Sequence, residues 1–261
     1  MASRIGVLGA GGRMGQAILA EIERAQGAVV GGAVEAPGHP AMGREIGEGG
    51  LTICANKSAL AHQVDVIVDF TAPAAVEGNL QAAIEARAGI VIGTTGLSEA
   101  EHKLIDEAAA AIPVLQTANT SLGVTMLRAL VKDAAGRLGE DWDVEIVEMH
   151  HREKVDAPSG TALALGESVA AGRGVALGDV ADRARDGADA RRSPGGIGFA
   201  ALRGGSVAGD HQVIFAGIGE RLELGHRAES REIFARGAVR AAIWLSGKPA
   251  GLYTMEDVLS L

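Results

Sequence analysis

The chain has 261 residues, of which 47% are hydrophobic and 22% are charged, a composition typical of one large or two modest globular domains. A formal net charge of −9 argues against a nucleic-acid or anionic-membrane surface. The single cysteine, Cys54, excludes a disulfide framework and a cysteine metal cluster within the chain and fits a reducing compartment.

No targeting or membrane segment is predicted. Residues 5–8 already form the first predicted strand, so we expect no signal peptide. Residues 108–127 carry no charged side chain, but they contain Pro113, Gln116 and Asn119 and are not predicted to span a membrane. We therefore expect a cytoplasmic protein with no membrane or nucleic-acid partner.

The chain opens with a short apolar strand, a glycine turn and a helical pattern, which together are typical of a dinucleotide-binding unit. Gly9, Gly12 and Gly15 fit the spacing G-x-x-G-x-x-G. The alternative spacing, G-x-G-x-x-G, would place Met14 where a small residue is usual. Small residues here would let a pyrophosphate reach the helix N-terminus and let the helix pack on the sheet.

A second strand is predicted at residues 28–34, and Glu35 follows it about twenty residues after the glycine turn. An acid at this position hydrogen-bonds the adenosine ribose hydroxyls in dinucleotide-binding folds. The alternative interpretation is a solvated acid at the end of a strand.

Strands and helices continue to alternate up to residue 121. Residues 37–50 read as a glycine-rich loop, and Cys54 is interpreted as a small buried apolar residue rather than a nucleophile. Strands are predicted at residues 51–54, 64–70, 90–92 and 114–116, and helices at 76–84 and at 98–111, the latter opened by a capping box. This alternation predicts a Rossmann-like α/β fold, a doubly wound parallel sheet that binds its ligand beyond the carboxyl ends of the strands.

The pattern changes after residue 121. A long helix is predicted at 124–138, a strand at 142–149, a helix at 162–171, an exposed loop at 173–192, and strands at 197–202, 212–216 and 222–228. Strands that follow one another without helices indicate a second α+β domain with an antiparallel or mixed sheet. A last helix, beginning near Arg231, is expected to return to the first domain.

Two imidazoles and an ammonium, from His150, His151 and Lys154, lie on the loop between the predicted strand and helix. Ser159 or Thr161 can cap the helix that follows. Cations facing the N–H groups of a helix start can hold an anion and deliver a proton to it. The alternative is a solvated polar loop with an ordinary cap.

The same loop could in principle hold a metal ion. Its candidate ligands are Glu148, His150, His151 and Asp156. These residues lack a recognised ligand spacing, and we predict no metal.

Five segments resemble, in order, the motifs of the 4-hydroxy-tetrahydrodipicolinate reductase family, formerly called dihydrodipicolinate reductase, of the diaminopimelate route to lysine. The most specific is the string His-His-Arg-Glu-Lys-Val-Asp-Ala-Pro-Ser-Gly-Thr-Ala at residues 150–162. The others are the glycine loop at 9–15, Gly-Thr-Thr-Gly at 93–96, Ala-Asn-Thr-Ser at 118–121 and Gly-Ile-Gly-Glu-Arg at 217–221. The resemblance covers nearly the whole chain. Two residues depart from the family pattern. Thr120 stands where a bulkier residue is usual, and Ala36 directly follows the acid expected to bind the ribose.

The resemblance implies NAD(P)H-dependent reduction of 4-hydroxy-tetrahydrodipicolinate, a small cyclic dicarboxylate, to tetrahydrodipicolinate. It implies a dinucleotide-binding domain at residues 1–121 and 231–261, and a domain at 122–230 that binds substrate and assembles a homotetramer. By matching motif positions, His150 is the proton donor with Lys154 assisting, and the substrate carboxylates contact His151, Lys154, Gly160 and Thr161. The implied cofactor contacts are Gly9, Ala10, Gly11, Gly12, Arg13, Met14, Glu35, Gly93, Thr94, Thr95, Ala118, Asn119, Thr120 and Ser121.

The residue at position 36 bears on cofactor choice. Family members that use NADPH well often have Arg directly after the ribose-binding acid, whereas this chain has Ala36. The Glu35 carboxylate would repel a 2′-phosphate. We expect NADH to be preferred and NADPH to be possible.

Two other functions stay open on the sequence. Another two-domain nicotinamide dehydrogenase would explain the first domain but not the string at 150–162. A dinucleotide-sensing protein without catalysis would make His150 and Lys154 dispensable. If the chain is a reductase, its domains are expected to close about hinges near Ser121 and Arg231.

Overall fold

The computed structural model describes residues 1–47, 50–183 and 185–261. The chain divides into two compact units. The first comprises Met1–Leu122 and Glu232–Leu261, and the second comprises Gly123–Arg231. Within the described ranges, no helix combines the length and the apolar character needed to cross a bilayer.

The elements follow one another in an order that changes character between the two units. The strands are β1 Ser3–Leu8, β2 Ala28–Val34, β3 Glu45–Ile46, β4 Leu51–Thr52, β5 Val66–Asp69, β6 Gly89–Ile92, β7 Pro113–Gln116, β8 Asp143–His150, β9 Ala181–Asp182, β10 Ile197–Arg203, β11 Asp210–Gly217, β12 Glu220–Arg227 and β13 Gly251–Tyr253. The helices are α1 Arg13–Arg24, α2 Lys57–Ala61, α3 Pro73–Ala86, α4 Glu99–Ala109, α5 Leu122–Leu138, α6 Gly160–Arg173, α7 Leu177–Val180, α8 Glu232–Leu245 and α9 Met255–Leu259.

The first unit is built on a six-stranded sheet in the order β13-β7-β6-β5-β1-β2, and every pair of neighbours is parallel. The chain places β2 on one side of β1 and all later strands of this sheet on the other side. The strand order therefore reverses between β1 and β5. A crevice forms outside the carboxyl ends of the strands at such a switch point, where doubly wound folds bind their ligands. The predicted Rossmann-like fold is confirmed.

Both faces of this sheet are covered, which explains why its strands are almost continuously apolar. Val66 and Val68 pack with α1 and α8 in one core, whereas Ile67 faces the opposite core with α3 and α4. Successive residues of a strand point to opposite faces, so an apolar residue is needed at each position.

Helix α8 is held closely against the segment that follows β7. The Thr120 hydroxyl donates a 2.7 Å hydrogen bond to the Phe234 carbonyl oxygen. A methyl group at Gly237 would lie 1.7 Å from the Thr120 carbonyl oxygen, so the helix can approach this closely only with glycine. The last segment of the chain thereby becomes part of the first unit.

The second unit has a five-stranded sheet in the order β12-β11-β8-β10-β9. Strand β8 is parallel to β10 and antiparallel to β11, so the sheet is mixed, as the sequence predicted. Val144 and Ile146 of β8 pack with α5 and α6 in a single core. The alternate residues Val147 and Met149 point to the other face and remain half-buried. This one-sided burial produces the alternating pattern that identified the strand.

The structure corrects several sequence expectations. Residues 37–50 contain β3, which pairs with β4, and the short helix α2 was not predicted. The expected exposed loop at 173–192 contains α7 and β9. Its Arg173 is half-buried and donates to the carbonyls of Gly139 and Trp142. Cys54 is exposed rather than buried, because its backbone pairs with the edge of β2 while its side chain faces solvent.

Candidate active site

The glycine turn after β1 is shaped by backbone contacts. The N–H groups of Gly9 and Ala10 both donate to the Val34 carbonyl oxygen at the end of β2, at 3.0 and 3.1 Å. Gly9 has φ +74°, and a methyl group at Gly15 would lie 2.1 Å from the Gly9 carbonyl oxygen. Gly12 begins α1 without a side-chain cap. The N–H groups of Gly9 to Gly12 are bonded within the protein, to Val34, Glu35 and Gly9, so the N–H groups in the first turn of α1 are the ones suited to a phosphate.

Glu35 lies against this turn. Its carboxylate accepts hydrogen bonds from the N–H groups of Gly11 and Ala36, both at 2.8 Å. The His39 ring packs over Gly11, where a methyl group would lie 2.4 Å from Cε1. The acid that the sequence assigned to the ribose is thus fixed beside the glycine turn.

A cavity of about 530 Å³ opens at the carboxyl ends of β1, β2 and β5. Its lining includes Gly9, Gly12, Glu35, His39 and Lys57. The Lys57 ammonium donates to Asn79 Oδ1 at 3.1 Å. Sequence reasoning missed Lys57, because α2 was not predicted and the lysine follows Glu35 only after a long loop.

A buried carboxylate ties the neighbouring loops together. Asp69, at the end of β5, is fully buried and accepts from the N–H and hydroxyl of Thr71 at 2.9 and 2.6 Å. It also accepts from Asn79 Nδ2 at 2.9 Å and from the Thr94 hydroxyl at 3.4 Å. The segment after β5 and the segment after β6 therefore share one anchor. An acidic residue at the end of an apolar strand is visible in the sequence, but it was not used to predict this anchor.

The remaining predicted cofactor residues differ in their exposure. Arg13, Thr95 and Ala118 are exposed, Met14 and Asn119 are half-buried, and Ala10, Gly93, Thr94, Thr120 and Ser121 are buried. The hydroxyls of Thr94 and Thr120 are already bonded to Asp69 and to the Phe234 carbonyl. The hydroxyl protons of these two side chains are therefore used to shape the loops.

In the second unit, β8 ends in a buried pair of ionisable side chains. His150 Nδ1 lies 2.6 Å from Glu148 Oε2, and both residues are buried. Arg203 donates two hydrogen bonds to the same carboxylate, each at 2.8 Å, and the Ser159 N–H donates a third at 3.1 Å. Burial acts to raise the pKa of the Glu148 carboxyl, but the hydrogen bonds from Arg203, His150 and Ser159 outweigh it and the pKa is lowered. Glu148 is therefore an anion held in place on both sides.

A second imidazole packs against this pair. The His211 and His150 rings meet edge to face with centroids 5.1 Å apart, and His211 Nε2 lies 3.0 Å from the Ser159 hydroxyl. Burial, assisted by the charge of His150, lowers the pKa of His211 to about 4. His211 is consequently neutral near pH 7.

The loop after β8 carries the other predicted residues. Lys154 Nζ contacts both carboxylate oxygens of Asp156, at 2.7 and 2.9 Å, and this hydrogen bond chiefly lowers the pKa of Asp156. The His151 N–H donates to the Val207 carbonyl at 2.8 Å, and its Nε2 lies 3.4 Å from an Arg231 guanidinium nitrogen. From the sequence, Arg231 was predicted only as a domain boundary and not as a cation near His151.

The start of α6 completes the group. Ser159 is its N-cap and accepts from the Ala162 N–H at 3.2 Å, which decides between the two candidate caps. Gly160 and Thr161 follow as the first helical residues, and a methyl group at Gly160 would meet no atom within 4 Å. The helix start therefore faces open space, as an anion site requires.

The chemistry of the donors does not favour a metal. In the described part of the chain, no three acidic, histidine or cysteine side chains converge as metal ligands. Glu148, the first candidate ligand, is bonded to Arg203 instead.

Comparison with known proteins gives matches along nearly all of the chain. The family description "Dihydrodipicolinate reductase, N-terminus" matches residues 3–120, and "Dihydrodipicolinate reductase, C-terminus" matches residues 123–259. A 4-hydroxy-tetrahydrodipicolinate reductase from Zymomonas mobilis is 55% identical over 99% of this chain and 97% of its own length. One from Afipia carboxidovorans is 50% identical over the same shares.

A solved structure shares the fold. The dipicolinate-bound dihydrodipicolinate reductase from Paenisporosarcina sp. TG-14 superposes with a TM-score of 0.78, covering 97% of this chain and 98% of that one, at 21% identity. The two family descriptions together span both units and include the glycine turn and the His150 loop. The chain therefore belongs to the dihydrodipicolinate reductase family.

Proposed function

We propose that this chain catalyses the NAD(P)H-dependent reduction of 4-hydroxy-tetrahydrodipicolinate to tetrahydrodipicolinate in lysine biosynthesis. The observation that carries the proposal is the arrangement at the end of β8, where His150 is held by Glu148 beside the start of α6. This arrangement offers a buried imidazole held by a carboxylate beside a helix N-terminus, in a chain that matches the reductase family in both halves.

The first unit fits a dinucleotide. Gly9 and Gly15 leave no room for side chains at the turn, and the N–H groups at the start of α1 suit a pyrophosphate. Glu35 would receive the ribose hydroxyls. The nicotinamide cofactor supplies a hydride when bound, and the protein orients the partners and moves the proton.

The second unit fits the substrate. Reduction of the conjugated imine formed by loss of water leaves negative charge, and a proton from His150 quenches it, with Lys154 assisting. Lys154, His151 and the backbone N–H groups of Gly160 and Thr161 would hold the two substrate carboxylates. We add Arg231 to this group, because its guanidinium reaches His151.

NADH is the proposed preferred cofactor. Ala36 provides no guanidinium for a 2′-phosphate, and Glu35 places a carboxylate beside the glycine turn. The nearby cations Lys57 and Arg13 support some use of NADPH, since Lys57 lines the same cavity.

We further propose a homotetramer assembled through the second unit. The face of its sheet that carries Val147 and Met149 is only half-buried within the chain, and Leu202 of β10 is exposed. A half-buried apolar sheet face is suited to packing against another copy. The cytoplasmic location expected from the sequence stays a prediction.

The function is tested by following oxidation of NADH with substrate made freshly by the upstream synthase. We expect oxidation that requires both the reductase and the synthase product, with an omitted-synthase reaction as the control. A chain that binds NADH but never oxidises it under these conditions would be a binding protein. Oxidation that requires an unrelated amino acid or semialdehyde would identify a different dehydrogenase.

A further inference from the structure

Glu148 is a buried side chain that the proposed chemistry leaves without a role. It is 1% exposed, yet it lies directly beneath the proposed proton donor on the same strand. Removing a carboxylate from water is unfavourable unless it is paired and hydrogen-bonded. Its partners therefore indicate why it is there.

The two ring nitrogens of His150 have different surroundings. Nδ1 lies 2.6 Å from Glu148 Oε2, whereas Nε2 has no hydrogen-bond partner in the described ranges. Gly209 lies on the Nε2 side, and a methyl group there would approach Nε2 to 3.1 Å. Glycine at this position keeps the second nitrogen accessible.

Glu148 is itself rigidly held. Arg203 donates one hydrogen bond to each carboxylate oxygen, and the Ser159 N–H donates to Oε1. The carboxylate therefore has a fixed orientation. Arg203 also donates to the Asp156 carbonyl, which connects the same guanidinium to the loop that carries Lys154. A planar guanidinium in this bidentate geometry fixes position as well as charge.

We propose that Glu148 is the positioning residue of the reductase site. It accepts the Nδ1 proton of His150 and so leaves Nε2 to deliver a proton to the reduced substrate. In that step the Nε2–H bond breaks, the proton joins the centre that became negative on hydride addition, and His150 is left neutral with its Nδ1 proton still bonded to Glu148. Solvent then restores the Nε2 proton. This inference rests on the proposed function.

A purely structural ion pair is the competing explanation, and the same strand provides a control for it. Glu145 lies on the opposite face of β8 and pairs with Arg185 and Arg192. It is a glutamate in an arginine cluster, three positions away, without a histidine partner. Glu145→Gln removes an arginine-paired carboxylate from β8 without altering the environment of His150.

The first experiment compares Glu148→Gln with Glu145→Gln in steady-state kinetics across pH. We expect kcat of Glu148→Gln to fall at least about tenfold, since an imidazole that loses its orienting carboxylate loses orders of magnitude in the serine-protease template. Because the carboxylate that contacts Nδ1 is lost, the position of the kcat profile on the pH axis should change as well. The Glu145→Gln profile should match wild type. An unshifted profile in an active, folded Glu148→Gln enzyme would overturn the proposal.

A second measurement needs no variant at position 148. Nitrogen NMR of the wild-type protein, labelled in histidine and assigned with His150→Gln, reports which ring nitrogen carries the proton at high pH. We expect the Nδ1–H form of His150. An Nε2–H form would refute the role of Glu148. If wild type itself failed to oxidise NADH while His150 showed the Nδ1–H form, the proposed function would fail and the geometric assignment would stand.

Discussion

Each unit contains one buried carboxylate close to its proposed site, and the two are satisfied in different ways. Asp69 is surrounded by neutral donors, namely the hydroxyls of Thr71 and Thr94 and the amide of Asn79. Glu148 is surrounded by Arg203 and His150, of which one is always charged and the other can become so. Asp69 therefore shapes loops, whereas we propose that Glu148 controls a proton.

The difference follows the chemistry assigned to each unit. A dinucleotide is held largely by backbone groups, so the first unit needs loops of fixed shape, made by glycines and by Asp69. In the proposed reaction a dicarboxylate is bound and the centre that accepts the hydride is then protonated, which requires charge that His150, Lys154 and Arg231 of the second unit would supply. Substitutions that change the shape of a loop should therefore disturb the first unit most. Substitutions that change a charge should disturb the second unit most.

The largest expected effect on the first unit comes from Asp69→Asn. The substitution replaces one carboxylate oxygen with an NH₂ group. In one orientation of the new amide, this NH₂ group faces the Asn79 amide, which is also a donor. In the other orientation it faces the donors of Thr71. A buried donor left unsatisfied in this way reduces the free energy of unfolding by about 1–3 kcal/mol. Binding of NADH should weaken as well, whereas kcat at saturating NADH should change little.

The matched control is Asp65→Asn. Asp65 pairs with the Arg4 guanidinium at 3.1 Å and accepts from the Arg4 N–H at 2.8 Å, at a solvent-exposed position of the same unit. Its loss should reduce the free energy of unfolding by less than about 1 kcal/mol. Urea unfolding and cofactor titration of both variants measure the difference. Equal effects from the two substitutions would show that Asp69 is an ordinary carboxylate and not a loop anchor.

A smaller effect is expected from Thr161→Val, which removes a hydroxyl and keeps the backbone N–H and the shape. If the hydroxyl binds a substrate carboxylate, KM for the substrate should rise several-fold, with a smaller change in kcat, as for loss of uniform binding. Ser159, not Thr161, is the side-chain cap of α6, so the cap is kept in this variant. An unchanged KM would leave the substrate contact to the backbone alone.

The smallest expected effect concerns cofactor choice. Ala36→Arg adds a guanidinium next to Glu35 and should raise kcat/KM for NADPH relative to NADH, because a guanidinium pairs with phosphate in a bidentate fork. Both cofactors are to be compared in wild type and variant at one salt concentration. A wild type that clearly prefers NADPH would contradict the proposed preference and direct attention to Lys57 and Arg13.

Local signals in the sequence identified most of the framework. Strand β2 was predicted with the bounds that the structure shows, and the capping box of Ser98 and Glu101 begins α4 as expected. Both signals depend on neighbours within a few residues. The short elements α2 and β3 were missed. Asn56 caps α2 locally, but a helix of five residues and a strand of two are too short to show a periodic pattern.

The proposed site was predicted less completely than the fold. The loop from His150 to Thr161 is continuous in sequence and could be recognised as a unit. Its supporting residues come from far along the chain: Arg203 lies 55 positions from Glu148, and His211 lies 52 positions from Ser159. Only the pairing of β8 with β10 and β11 brings these side chains together, and no spacing rule in one sequence reveals that pairing.

We propose that cofactor binding and proton delivery reside in different units of one reductase. The most direct test measures NADH affinity and kcat in the same preparations of wild type, His150→Ala and Lys154→Ala. We predict NADH dissociation constants within about twofold of wild type and a kcat lowered by roughly two orders of magnitude or more in each variant, the size usual for loss of a positioned proton donor. Near-normal turnover by His150→Ala would contradict the account, because the proton would then have another source.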